Sequence, residues 1–327
     1  MTKKKTYAIG IDIGGTNSVA GVVDTDGRVI GSASVRTQAY PVLTDYVAAV
    51  AQMVMGLLAE HGITTMEVRG IGVGAPNANY YRGTIEMAPN LPWKEREIPL
   101  ARLLGEALDG LPVVMTNDAN AAAWGEKVYG AAKDMDHFIM ITLGTGVGGG
   151  VVTDGRLMYG NDGLAGELGH LIVERDGRLC GCGRRGCLEA YCSATGVART
   201  ARERLAATSE DSLLRSIERE RLTSKDVYEA AVKGDRVATE IFRETGTILG
   251  RALADMTAFA NPEAFVLFGG LAKAGDYIRR YTEEALEENL MPVFKGRVRV
   301  VTSGLRDADA AVLGAAALVR PPSPATH

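Results

Sequence analysis

The stretch that decides the fold is residues 7–35, YAIGIDIGGTNSVAGVVDTDGRVIGSASV. Three runs rich in small and β-branched residues are separated by IGGTN and DTDG, the pattern of strands joined by tight turns. The same logic returns at residues 138–160, FIMITLGTGVGGGVVTDGRLMYG, as strand, Gly-Thr turn, strand, TDGR and strand. GVVDTDGR, beginning at Gly21, parallels GVVTDGR, beginning at Gly150, and Thr16 aligns with Thr145 as Gly27 does with Gly155 after one residue of slippage. Two hairpins that share both turns argue for an internal duplication.

Between the hairpins, helical spacing at residues 46–60 and 100–108 alternates with strands at 68–73 and 112–116, which predicts an α/β fold. Past Cys192 the chain reads as helix-rich and polar, with helices at 199–205 and 224–233. An apolar-periodic helix at 251–260 leads to a buried strand, AFVLFGG, then to a helix at 277–289, a strand at 298–302 and a small-residue helix at 309–319. The tail PPSPATH, residues 321–327, is expected to be disordered.

With 327 residues, 46% hydrophobic and 23% charged, the chain is long enough for two packed domains. A net charge of -4 predicts no general attraction to nucleic acid or to an anionic membrane. The lysines at the start precede an apolar stretch that meets Asp12 and paired glycines too early for a signal peptide. The run at 308–319 is shorter than the roughly 20 residues of a spanning helix. Four cysteines, three of them between Cys180 and Cys187, do not form a secreted disulfide framework. They point to metal ligation in a reducing compartment, so a cytoplasmic protein is expected.

Gly14, Gly15 and Thr16 stand where one strand turns into the next, and Gly144, Thr145 and Gly146 repeat the arrangement. Glycine lets backbone N–H groups approach phosphate oxygens, and threonine adds a hydroxyl donor, so two such turns suit a triphosphate such as ATP. A single turn of this kind equally serves only to close a hairpin. Asp12, at the end of the first strand, suits Mg2+ held through water. A third glycine pair, Gly269 and Gly270, stands at a strand-to-helix junction, where it serves either close packing or a nucleotide's adenosine or α-phosphate. Neither a Walker loop nor a dinucleotide fingerprint is present.

The segment VVMTNDANAAAWGEKV passes from strand to helix through Asn117 and Asp118. Either residue can cap the helix, and Asp118 can also serve as a base. A helix N-terminus is expected to lower the pKa of Asp118, which phosphoryl transfer tolerates because the attacking hydroxyl becomes acidic late. Glu167 and Glu189 offer carboxylate oxygens to sugar hydroxyls, and Asn90 an amide. Exposed glutamates are also simply solvated. His170, Cys180, Cys182 and Cys187 form H-x9-C-x-C-x4-C, a ligand set for a tetrahedral structural Zn2+ with no position left for substrate.

Taken together, IDIGGTN, APNLPW, TNDANAAAWGE, LGTGVGGGVV, GELGH, CGCGRRGCLE and LFGG resemble the ROK family of repressors, open reading frames and sugar kinases, over nearly the whole chain. The resemblance implies two actin-like, ribonuclease H-like domains with mixed sheets around a central cleft. We expect residues 1–116 plus 308–320 in the smaller domain and 117–307 in the larger. It also implies ATP-dependent phosphorylation of the 6-hydroxyl of a hexose, with Asp118 as catalytic base. Sugar contacts would come from Gly74, Asn90, Asn117, Glu167, His170 and Glu189. Nucleotide contacts would come from Thr16, with Asn17 beside it, and from Thr145. Glucose is the expected substrate, N-acetylmannosamine or N-acetylglucosamine the alternative, and a homodimer or homotetramer the expected assembly. A sugar-sensing repressor is a remote alternative, since only about eight residues precede the first strand, too few for three helices of roughly 11 residues each.

Overall fold

The computed structural model describes residues 5–320 apart from Pro89, so the tail at 321–327 lies outside the described residues. The chain opens with β1 (Tyr7–Ile13), β2 (Asn17–Val23) and β3 (Val29–Arg36), followed by α1 (Leu43–Glu60) and β4 (Val68–Gly74). A small meander of β5 (Ala78–Asn79), β6 (Thr84–Glu86) and β7 (Glu97–Ile98) precedes α2 (Leu100–Ala107), β8 (Val113–Thr116) and α3 (Asp118–Tyr129). The second hairpin is β9 (Phe138–Leu143) and β10 (Val147–Thr153), with β11 (Arg156–Leu157). Helices α4 (Glu189–Cys192), α5 (Ala194–Ala207), α6 (Ser224–Val232) and α7 (Arg236–Ala260) follow, then β12 (Ala264–Phe268), α8 (Asp276–Asn289), β13 (Arg299–Thr302) and α9 (Asp307–Ala317).

The two large sheets have the same plan. One is ordered β3-β2-β1-β4-β8 and the other β11-β10-β9-β12-β13. In the first, β1 and β2 are antiparallel while β1, β4 and β8 run parallel. In the second, β9, β12 and β13 are parallel. The duplication read from two turns therefore extends to five strands.

The chain forms two compact units. The first contains the residues up to Asp136, Gly150–Gly166, and everything from Gly304 onward; the second contains His137–Gly149 and Glu167–Ser303. This differs from the expected boundary after residue 116, because α3 belongs with the first unit. A Cβ on Gly314 of α9 would lie 2.5 Å from the Ala121 carbonyl oxygen of α3, and the Trp124 indole donates to Ala317 O at 2.9 Å.

In the first unit both faces of the sheet are covered. Tyr46, Val50, Val54 and Leu57 of α1 pack with Ile9, Ile11, Ile71 and Val73 in one buried cluster, and Val312, Leu313 and Ala316 of α9 pack with Ala8 and Val23 in another. By length and composition α1, with mean hydropathy 1.2, is the one helix among the described residues that could cross a membrane. Its buried face instead completes this core. In the second unit α7 starts at Arg236, earlier than the expected 251–260, because Asp235 caps it by accepting the Ala238 N–H at 2.9 Å.

Candidate active site

Strand register puts the first site residues in one row. Asp12 of β1 is opposite Gly74 of β4, and Gly74 is opposite Thr116 of β8. All three stand at the carboxyl ends of parallel strands, where ligands gather in α/β folds. The chain then enters α3, and Asn117 caps it by accepting the Asn120 N–H at 2.7 Å. Asp118 is thereby relieved of the capping role; its carboxylate accepts the adjacent Ala119 N–H at 2.8 Å. A Cβ added to Gly74 would lie 3.7 Å from the Asp118 Cα and 3.9 Å from Asp12 Oδ1. Asp12 and Asp118 thus both border Gly74, close enough for the charge of Asp118 to act on Asp12.

That closeness shows in their acidity. Desolvation, and then the charge of Asp118, push the pKa of Asp12 up to about 6. Asp118 is raised too, because desolvation outweighs the backbone N–H groups of Ala119 and of Asp118 itself. The expectation that the helix N-terminus lowers Asp118 is corrected: loss of water exceeds the dipole. Solvent reaches one side of Asp118, which is exposed, while protein crowding its other sides supplies the desolvation.

Beside this pair, Gly14 N–H donates to Asn17 O at 2.9 Å and closes the first glycine turn. Three consecutive carbonyls of the turn are held from behind. Thr37 Oγ1 donates to Gly14 O at 2.8 Å, Gln38 Nε2 to Gly15 O at 2.6 Å, and Thr37 N–H to Thr16 O at 2.9 Å. In a trans peptide the N–H points opposite to the preceding C=O, so the N–H groups of Gly15 and Thr16 face the other way. Among the described residues no backbone bond takes them up. Thr16 and Asn17 are exposed, and so is Asn90, whose carbonyl oxygen would sit 2.9 Å from a Cβ on Gly15.

The second unit repeats the device. Gly144 N–H donates to Gly146 O at 3.0 Å, while Gly144 O accepts the Ala194 N–H at 2.8 Å and Thr145 O accepts Thr195 Oγ1 at 2.9 Å. Gly269 packs close to this turn, a Cβ there falling 2.7 Å from Leu143 O. The expected strand-to-helix junction is corrected in one respect: a 3₁₀ turn, Ala272–Ala274, separates Gly269 and Gly270 from α8, so that helix does not begin at the glycines.

In the same unit the ligand atoms of His170, Cys180, Cys182 and Cys187 all lie within 4.8 Å of one another. Cys182 Sγ and Cys187 Sγ are 3.7 Å apart, as are Cys180 Sγ and His170 Nδ1. Tetrahedral coordination at a Zn–S distance of about 2.3 Å places sulfurs about 3.8 Å apart, so the donor set fits such an ion. The other ring nitrogen, Nε2, faces Glu167 Oε2 at 3.9 Å, and the Glu167 side chain is exposed. Glu189 has two attachments: Oε2 accepts the Val147 N–H at 3.0 Å, and Oε1 accepts from Cys180 Sγ at 3.4 Å. It bridges the glycine turn and the cysteine cluster.

The profile of the ROK family matches residues 8–321. This chain belongs to the ROK family. Among ROK proteins it is 38% identical over 326 residues to the glucokinase of Streptomyces coelicolor, covering 97% of this chain and 98% of that one. It is 32% identical to the N-acetylmannosamine kinase of Citrobacter koseri, over 95% and 98% of the two chains. A crystal structure of a ROK glucokinase from Streptomyces griseus in complex with glucose and AMPPNP matches with a TM-score of 0.78 and 38% identity, over 95% of this chain and 98% of that one.

Sequence reasoning missed the groups that hold the ROK turns from behind, Thr37, Gln38 and Thr195. No motif marks them, because each reaches its turn from well outside the hairpin. It also missed Asn79, a buried amide that donates to Asp162 O at 2.7 Å and to Glu86 Oε1 at 3.0 Å. Through it the segment leading to Glu167 is tied to the β5–β6 hairpin.

Proposed function

We propose that this ROK protein is an ATP-dependent glucokinase, transferring the γ-phosphoryl group of ATP to the 6-hydroxyl of glucose. The observation that carries the reading is the pair of raised-pKa carboxylates, Asp12 and Asp118, gathered around Gly74 beside a glycine turn with outward N–H groups. In this reading Asp118 accepts the proton of the sugar hydroxyl as the new O–P bond forms. A carboxyl with a raised pKa is, once ionised, a better proton acceptor than an ordinary one. Asp12 would hold Mg2+ through water, and a cation there would relieve the repulsion between the two carboxylates. The Gly14–Thr16 and Gly144–Gly146 turns would present N–H groups and threonine hydroxyls to the phosphates, with Gly269 and Gly270 near the rest of the nucleotide. Asn90, Asn117, Glu167, His170 and Glu189 would bind the sugar hydroxyls, with the Gly74 backbone lining the pocket.

His170, Cys180, Cys182 and Cys187 would hold a structural Zn2+, which supplies four fixed bonds to the loop that carries Glu167 and Glu189. Four free cysteines suit a reducing compartment, which supports a cytoplasmic location. The relative named N-acetylmannosamine kinase keeps acetamido sugars as the second reading. The test is a coupled ADP-release assay with glucose, mannose, N-acetylglucosamine and N-acetylmannosamine, run on the wild type and on Asp118→Ala. Glucose should give the highest kcat/KM, and the variant should lose about a thousandfold or more in kcat. Preference for an acetamido sugar would overturn the substrate, and near-normal turnover by the variant would overturn the base.

A further inference from the structure

We infer that Gln38 is a positioning residue that couples sugar binding to nucleotide binding, by fastening the first glycine turn to the loop that bears Asn90. The inference rests on the kinase reading above. Its basis is one side-chain amide with two backbone partners. Gln38 Nε2 donates to Gly15 O at 2.6 Å and also reaches Asn90 O at 3.4 Å. The first carbonyl belongs to the turn assigned to phosphate, and the second to a residue assigned to the sugar. No other side chain among the described residues donates to both segments.

The two segments also touch directly. A Cβ on Gly15 would fall 2.9 Å from Asn90 O and 3.3 Å from Asn90 Cβ, so the turn and the loop cannot move independently toward each other. Beneath Gln38 the anchor is rigid. Thr37 is fully buried, its hydroxyl lies 2.9 Å from Ser18 Oγ, and Ser18 Oγ lies 2.7 Å from the buried Tyr46 hydroxyl. Thr37 fixes the carbonyls of Gly14 and Thr16, leaving the Gly15 peptide to Gln38. If glucose draws Asn90 into its bound position, Gln38 transmits that ordering to the Gly15 peptide plane. The N–H groups on the far side of the turn are then set for phosphate. In the second turn the carbonyl that corresponds to Gly15 O, Gly144 O, accepts a backbone N–H, that of Ala194, and among the described residues no side chain takes the place of Gln38 there. The coupling is therefore a property of the first turn.

The experiment is isothermal titration of AMPPNP with Mg2+ into the full chain, with and without saturating glucose, for wild type, Gln38→Ala and Gln38→Glu. In the wild type glucose should tighten AMPPNP by about fivefold or more, the scale of ordinary coupling between sites. In both variants that ratio should fall to about one, because alanine has no donor and glutamate sets an acceptor against two carbonyl oxygens. Gln38 is exposed, so the unfolding temperature should stay within about 2 °C, which separates coupling from a general structural loss. A variant ratio equal to the wild-type ratio, or a wild-type ratio of one, would overturn the inference. A wild type that neither binds AMPPNP nor phosphorylates a sugar would instead overturn the kinase reading itself.

Discussion

Asp12 and Asp118 bring like charges to a place short of water, and the sign of the consequence follows from the direction of their shifts. Both carboxyls hold their protons more tightly in the folded chain than in the unfolded one. The folded state therefore binds more protons, and stability falls as pH rises from about 4, the unfolded value, through about 6 for Asp12. Asp12→Asn should raise the unfolding temperature of the ligand-free protein at pH 8 and lose that advantage at pH 4, where the wild-type carboxyl is protonated. Activity should run the other way, since metal binding needs the ionised form: kcat/KM should decline below pH 6. Thermal unfolding of the two proteins across pH, with a pH–rate profile of the wild type, checks both. An Asp12→Asn variant less stable than wild type at pH 8 would show that the carboxylate is a net structural asset.

The cysteine loop does more at the scale of the element than the sequence suggested. Its metal was expected to support the sugar carboxylates, yet Glu189 also accepts the Val147 N–H at the end of the second glycine turn. Removing the ion should therefore weaken the nucleotide as well as glucose. Buried Cys180 and Cys187 would be left as unligated thiols, and Cys180, a thiolate when it holds the ion, would regain a proton to donate to Glu189, so the hold on that carboxylate changes with the metal. Elemental analysis should find about one zinc per chain. Protein stripped with a chelator, or carrying Cys187→Ser, should show raised KM for glucose and weaker AMPPNP binding. Unchanged AMPPNP affinity in metal-free protein would break the proposed bridge. The glycine turns were legible in the sequence because glycine, threonine and the TDGR repeat lie within a few residues of one another. The bridge was not, because Val147 and Glu189 meet only when the loop is folded. Asp118 was placed correctly at the strand-to-helix turn, but the direction of its pKa shift was missed. Local sequence shows the helix N-terminus and is silent about the surrounding protein that displaces water.

For the whole molecule, the duplicated plan was readable from two hairpins, whereas the division into units was not. The chain leaves the first unit and returns to it twice, and the final return, α9, closes a sheet laid down by the first hundred or so residues. That closure leaves no room for side chains. A Cβ on Gly10 would lie 2.0 Å from Val312 O, and one on Gly72 1.8 Å from Ala315 O, both backbone atoms of α9. Gly72→Ala should therefore force α9 off the sheet and cost about 3 kcal/mol, at the upper end of ordinary overpacking. Gly56→Ala is the matched control. It lies on the exposed face of α1 with nothing within 4 Å of the added carbon, so it should stabilise by about 0.5–1 kcal/mol through helix propensity alone. Denaturant unfolding followed by tryptophan fluorescence in a Trp93→Phe background, where Trp124, whose indole donates to Ala317 O, is the remaining tryptophan, reports on α9. The same chemical change should move the midpoint down at residue 72 and up at residue 56. Equal shifts at the two positions would mean that the approach of α9 to β1 and β4 is looser than described, and that the first unit does not depend on its last helix.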